Sequence, residues 1–157
     1  MSKKRSKAYK PRAATVPMLF VLSRVPDRYP YKAAELYGQL IAFIESPSFT
    51  TSKNLSHELA AIAGGMSYMH KGVGLKYLRD PGSIAIVSAI FCMNAIGARF
   101  ERTGAIAVTE QDKATLRGAA ARLDEALRTM PLACYLRGEE EADKWLVESK
   151  EPQLEVA

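Results

Sequence analysis

A chain of 157 residues, 48% hydrophobic and 25% charged, has the make-up of one folded domain rather than a disordered segment. Its net charge of +5 is unevenly placed: residues 1–12 hold Lys3, Lys4, Arg5, Lys7, Lys10 and Arg12 with no acid, while the remainder carries 16 Lys+Arg against 17 Asp+Glu. Cys92 and Cys134 have no second Cys or His at ligand spacing, which argues against a disulfide framework or a zinc site and fits a reducing, cytoplasmic compartment.

The opening twelve residues are expected to form a flexible basic arm, because six like charges repel and there is little to bury. Such a segment is suited to neutralising phosphates. Tyr9 can stack on an exposed base, and Lys10-Pro11-Arg12 favours an extended, polyproline-like backbone. Behind the arm, AATVPMLFVL (13–22) resembles the apolar core of a signal peptide. Pro17 interrupts it, and SRVPDR stands where a small-residue cleavage site belongs, so secretion is not expected. The stretch 15–26 reads as a short apolar element, either a strand or a helix with Pro17 in its first turn.

From Tyr31 to Ser46, Leu36, Leu40, Phe43 and Ile44 recur on one side of a helix. PSFTTSKN is polar punctuation. Apolar residues at 55, 59, 62, 66, 69 and 73 then alternate by four and three, the mark of a helix burying one seam. Gly64 and Gly65 interrupt that seam, which implies either a closely crossing helix or a bend. RDPG (79–82) stops this helix and starts the next.

SIAIVSAIFCMNAIGA (83–98) is uncharged over 16 residues, short of the roughly 20 that a membrane span needs. It reads as a core helix covered on most sides, with Ile86, Ile90 and Phe91 buried and Cys92 acting as a small core residue. Gly104 is placed to cap its C-terminus. Thr109 with Asp112 marks an N-cap, and Leu116, Ala120, Leu123, Leu127 and Met130 form one face of a helix from Glu110. A last helix follows Pro131, with Tyr135 and Trp145 facing inward. From Gly138 onward there are seven acids and two lysines. The expected architecture is all-α: a single bundle-like domain of about five helices at 13–149, a basic arm at 1–12 and a frayed acidic tail at 150–157.

No catalytic motif emerges. HELAAIA begins like a zinc-protease helix, but Ala61 occupies the position of the second histidine, so neither His57 nor His70 is expected to bind metal. AGGMS and HKGVGLK lack the Gly-Lys-Ser/Thr that opens a phosphate-binding helix. The pairs Asp124–Glu125 and Glu139–Glu141 read as solvated faces. No enzyme activity, cofactor or metal is expected.

The arm remains, with basic residues of the body. Lys71, Lys76, Arg79, Arg99 and Arg102 fall near the ends of two successive helices, and antiparallel pairing would make one end of the domain basic. A basic opening ending in KPR, then RTG (102–104) leading into a Thr-capped LxxAxxxLDxxL helix (116–127), resembles small proteins encoded by proteobacterial phages, prophages and plasmids. The resemblance implies a bacterial cytosol and an accessory, non-enzymatic role. Two functions stay open. In one, Lys3, Lys4, Arg5, Lys7, Tyr9, Lys10 and Arg12, with the basic end of the body, contact DNA or RNA with little sequence preference. In the other, the helical surface recognises a protein, as a phage-type inhibitor or adaptor of a host protein would. No membrane association is expected, and the oligomeric state stays open.

Overall fold

A computed structural model describes Phe20, residues 22–71 and residues 79–148, with side chains described as far as Lys144. Among these residues the fold is all-α: a one-turn helix, α1 (Val25–Arg28), then α2 (Lys32–Glu45), α3 (Phe49–Met69), α4 (Pro81–Thr103), α5 (Glu110–Ala120), α6 (Leu123–Thr129) and α7 (Leu132–Glu148). Of the short apolar element expected at 15–26, Phe20 and Leu22 are helical, which favours the helix over the strand, and residues 15–19 and 21 lie outside the described residues. Arg24 makes a single antiparallel bridge to Pro131, and the Val25 amide donates to the Met130 carbonyl at 3.3 Å. These bonds pin the start of the fold to the junction of α6 and α7.

The apolar periodicities translate into burial. Leu36, Leu40, Phe43 and Ile44 of α2 are buried, as are Leu55, Leu59, Ile62 and Met66 of α3. The expected face at Leu116, Ala120, Leu123, Leu127 and Met130 is buried too, but on two helices rather than one. The break lies at Ala121–Arg122, where the Arg122 amide donates to Ala119 only three residues back and tightens the turn. Helix α3 begins a turn and a half before Leu55. Ser48 caps it, its hydroxyl accepting from the Thr51 amide at 3.2 Å, so PSFTTSKN is largely helix.

Helices α3 and α7 make the most extensive packing in the molecule, and they cross at glycines. A Cβ added to Gly138 would overlap the Ala61 carbonyl and lie 2.6 Å from the Gly65 amide nitrogen. A Cβ on Gly64 would come within 3.0 Å of the Gly138 Cα. Of the two readings of Gly64–Gly65, close crossing is therefore the correct one. Polar links reinforce the pair. The Glu58 carboxylate takes Lys32 Nζ at 2.8 Å and the Tyr135 hydroxyl at 3.0 Å, joining α2, α3 and α7, and His57 Nε2 pairs with Asp143 Oδ1 at 2.7 Å. Burial, then the Glu58 charge, drives the Tyr135 phenol upward from its ordinary pKa, so it remains a neutral donor.

Helix α4 runs back along α3, and the ring of Phe100 near its C-terminus stacks on Phe49 at the start of α3 at 5.3 Å. Asp80 caps its N-terminus, accepting from the Ser83 amide at 3.1 Å, and Gly104 closes the other end in the left-handed region at φ 72°. The inner face, with Ile86, Ala89, Cys92, Met93 and Ile96, is buried against α3 and α5. The outer face is not. Phe91 is 68% exposed and Ile84 47%, while Ile90 is half-buried. The expectation of a helix covered on most sides is corrected: the domain is two layers deep at this point, and no described element lies beyond α4. At 23 residues, with mean hydropathy 1.6 over its most apolar 18, α4 is long and apolar enough to cross a membrane, and 28% of that window is buried.

Candidate functional site

The basic residues proposed from the sequence fall into separate places. Lys3, Lys4, Arg5, Lys7, Tyr9, Lys10, Arg12 and Lys76 lie outside the described residues. Lys71 is exposed just past the end of α3 and Arg79 just before the start of α4. Arg102 is exposed in the last turn of α4. Antiparallel packing does bring the end of α3 to the start of α4, but it sends the end of α4 to the start of α3. A 23-residue helix spans about 34 Å, so the described cations occupy two ends of the domain rather than one basic end.

Arg99 is half-buried and already partnered. Its guanidinium bonds the Asp112 carboxylate and donates to the Ala107 carbonyl at 3.0 Å. Asp112 is also the third residue of a capping box. Its carboxylate takes the Thr109 amide at 2.9 Å, while its own amide donates to the Thr109 hydroxyl at 3.1 Å. Burial pushes the Asp112 pKa up, but the Thr109 hydrogen bonds and the Arg99 charge outweigh it and hold the carboxyl below its ordinary value. Cys92 lies against this cluster, its Sγ 3.5 Å from Asp112 Oδ1. Burial, with the Asp112 charge, pushes its thiol up to about 12, so it is inert as a nucleophile near neutrality. The group locks α4 to α5.

Two other concavities bear on function. One of about 390 Å³, between the start of α4 and α6, is edged by Asp80, Glu125, Arg122 and His70, a mixture of signs with no net preference for an anion. The other, about 240 Å³, is a groove between α3 and α4 lined by Ser56, Ala60, Ala63, Ile90, Met93 and Asn94. It opens beside the exposed face of α4. No group of three or more His, Cys, Asp or Glu suited to a metal occurs among the described residues.

That face is the most distinctive surface of the described molecule. Ile84, Val87, Ser88, Phe91, Asn94, Ala95 and Ala98 recur at spacings of three and four and so share one side of the helix. No charge occurs in the 18 residues from Pro81 to Ala98. The sequence carried the signal: this stretch is apolar all round, and whatever α3 and α5 leave uncovered must still be apolar. What it lacked was any statement of which side stays bare.

No protein-family model, curated protein or solved structure matches this chain. The class it can be assigned is set by its architecture: an all-α helical-bundle domain with one helix bare on its outer side.

Proposed function

We propose that this is a non-enzymatic interaction protein of the cytosol, which recognises another protein surface through the outer face of α4. The exposure of Phe91, at 68% within an uncharged stretch of helix, carries this reading. Fully burying one large apolar side chain is worth about 1.5–3 kcal/mol, and aromatic anchors of this kind dominate binding energies where a partner covers them. Contiguous apolar surface on a helical domain is characteristic of an interface. The resemblance to phage- and plasmid-encoded accessory proteins is compatible with an inhibitor or adaptor role on a host protein.

A photo-crosslinking residue placed at 91, compared with one at the exposed Arg117 on α5, tests the reading in expressing cells. Protein adducts should concentrate at 91. Equal yields at the two positions, or none at 91, would remove the α4 face from consideration.

A second reading rests on a different observation, the six cations of residues 1–12. Here the arm contacts DNA or RNA with little sequence preference, with Lys71, Lys76 and Arg79 as further phosphate contacts. Each neutralised phosphate contributes about 0.9 to the slope of log K against log[salt] on duplex and about 0.7 on single strands. Deleting residues 2–12 should flatten that slope and weaken binding similarly on all sequences. Absence of salt-sensitive binding to either nucleic acid at low ionic strength would exclude the arm.

A further inference from the structure

We infer that the occupant of the α4 face is a second copy of this chain, with the two α4 helices antiparallel about a two-fold axis at Phe91. The inference rests on the reading that this face is a recognition surface, and it follows from the order of residues along it. A two-fold interface sets each patch against itself. With Phe91 on the axis, Ile84 of one copy falls opposite Ala98 of the other and Val87 opposite Ala95, so large residues meet small ones along the seam. Ser88 falls opposite Asn94, a hydroxyl facing a side-chain amide with which it can hydrogen bond.

The charges at the two ends complete the match. Asp80, exposed at the N-cap, falls opposite the exposed Arg102 in the last turn. The uncharged stretch is thereby closed at both ends by opposite charges, and the two helix dipoles oppose each other favourably. A parallel pairing reverses every term. It places Ile84 on Ile84, Ala98 on Ala98, Asp80 on Asp80 and Arg102 on Arg102. The two Phe91 rings cannot share the axis, but beside each lies the groove edged by Ala60, Ala63 and Ile90, a concavity for the other copy's ring. Knob and hole thus occur on the same surface, as self-pairing requires.

Size sets the strength. Eighteen uncharged residues make a face about 27 Å long and about 10 Å wide, a few hundred Å² per copy, below the about 800 Å² per partner of a tight complex. The dimer should therefore be concentration-dependent, in the micromolar class.

Sedimentation equilibrium of the full chain from micromolar to sub-millimolar concentration provides the test. Expected are a monomer–dimer equilibrium, a dissociation constant raised roughly 30-fold or more by Phe91→Glu, and unchanged helicity because the side chain faces solvent. Should that variant lose helicity, Ala95→Arg repeats the test at an exposed alanine. Orientation is read by cross-linking in a Cys134→Ser background. Ile84→Cys and Ala98→Cys proteins should form disulfides with each other when mixed, and far less when kept apart. Self-linking of each alone, or a dimer indifferent to both substitutions, overturns the inference. So does a monomer at every concentration, and the residue-91 adducts then separate the two failures: foreign-protein adducts leave the recognition reading standing, while none removes both. A monomer that dimerises only after deletion of residues 2–19 assigns the face to that segment, and flotation with phosphatidylglycerol vesicles that Phe91→Glu abolishes assigns it to lipid; either overturns the second copy.

Discussion

Helices α3 and α4 are the two longest in the described fold, both apolar and both containing glycine, yet they are covered very differently. Around α3, α2 and α4 pack on two sides and α7 crosses at Gly64–Gly65 against Gly138, with Glu58 and His57 giving polar anchors to its neighbours. Helix α4 is held on its inner face, by α3, α5 and, near its start, α6, with the Arg99–Asp112 cluster as its polar anchor. The contrast separates two things that a hydropathy profile merges. Apolar content says that a helix gains by being covered, whereas glycine at the crossing and a polar partner at the right height decide which element does the covering.

The comparison can be broken first within α4. Ile86→Ala, at a fully buried site, should destabilise by about 3–4 kcal/mol, whereas Phe91→Ala should shift the denaturation midpoint of the monomer very little. Equal losses at the two positions would mean that the outer face is covered in the monomer. Ile90→Ala should fall between them, because Ile90 is half-buried against the groove.

The α3–α7 crossing gives the next largest effect. Gly138→Ala drives a Cβ into backbone atoms of Ala61 and Gly65, which cannot give way as a side-chain tip would, and should cost about 3 kcal/mol. Gly97→Ala is its control on α4, where an added Cβ meets nothing within 4 Å. It should stabilise by about 0.5–1 kcal/mol through helix propensity and a less flexible unfolded chain. If the two substitutions act alike in chemical denaturation, the crossing is looser than the glycines imply.

Asp112 sharpens the comparison through pH. Asp112→Ala removes a cap and strands the Arg99 guanidinium, for about 2–3 kcal/mol. The Asp112 pKa in the fold lies below its unfolded value of about 3.9. Its contribution is therefore complete above that unfolded value and is lost as pH falls through the folded pKa. Denaturation from pH 7 downward should show wild type losing more stability than Asp112→Asn in the acid range. Parallel curves would show that the carboxylate is not held by Thr109 and Arg99.

The smallest effect is chemical. Burial raises both thiols, Cys92 to about 12, so native protein at pH 8 should react slowly with a thiol reagent. The half-buried Cys134 should react first, and fast labelling of Cys92 would mean that the junction of α4 and α5 opens readily.

Much of the fold was legible in the sequence, for reasons of short range. Periods of three and four placed the buried faces of α2, α3 and α5–α6, because a helix repeats its own surface whatever surrounds it. The caps at Thr109–Asp112 and Gly104 were legible because capping is a matter of a few adjacent residues. What escaped was long in range. Gly138 stands alone in α7 with no local sign that its missing side chain admits the backbone of α3. Arg99 belongs by position to a basic cluster, and only the packing of α4 on α5 turns it onto Asp112. Phe91 stands three residues from Ser88 and three from Asn94 in a helix apolar on every side, so no period distinguished it from Ile86. The sequence determined that α4 is a helix and that it is apolar. Which half of it meets protein and which half meets solvent is fixed by the number and direction of its neighbours, a property of the assembled bundle that no stretch of one helix encodes.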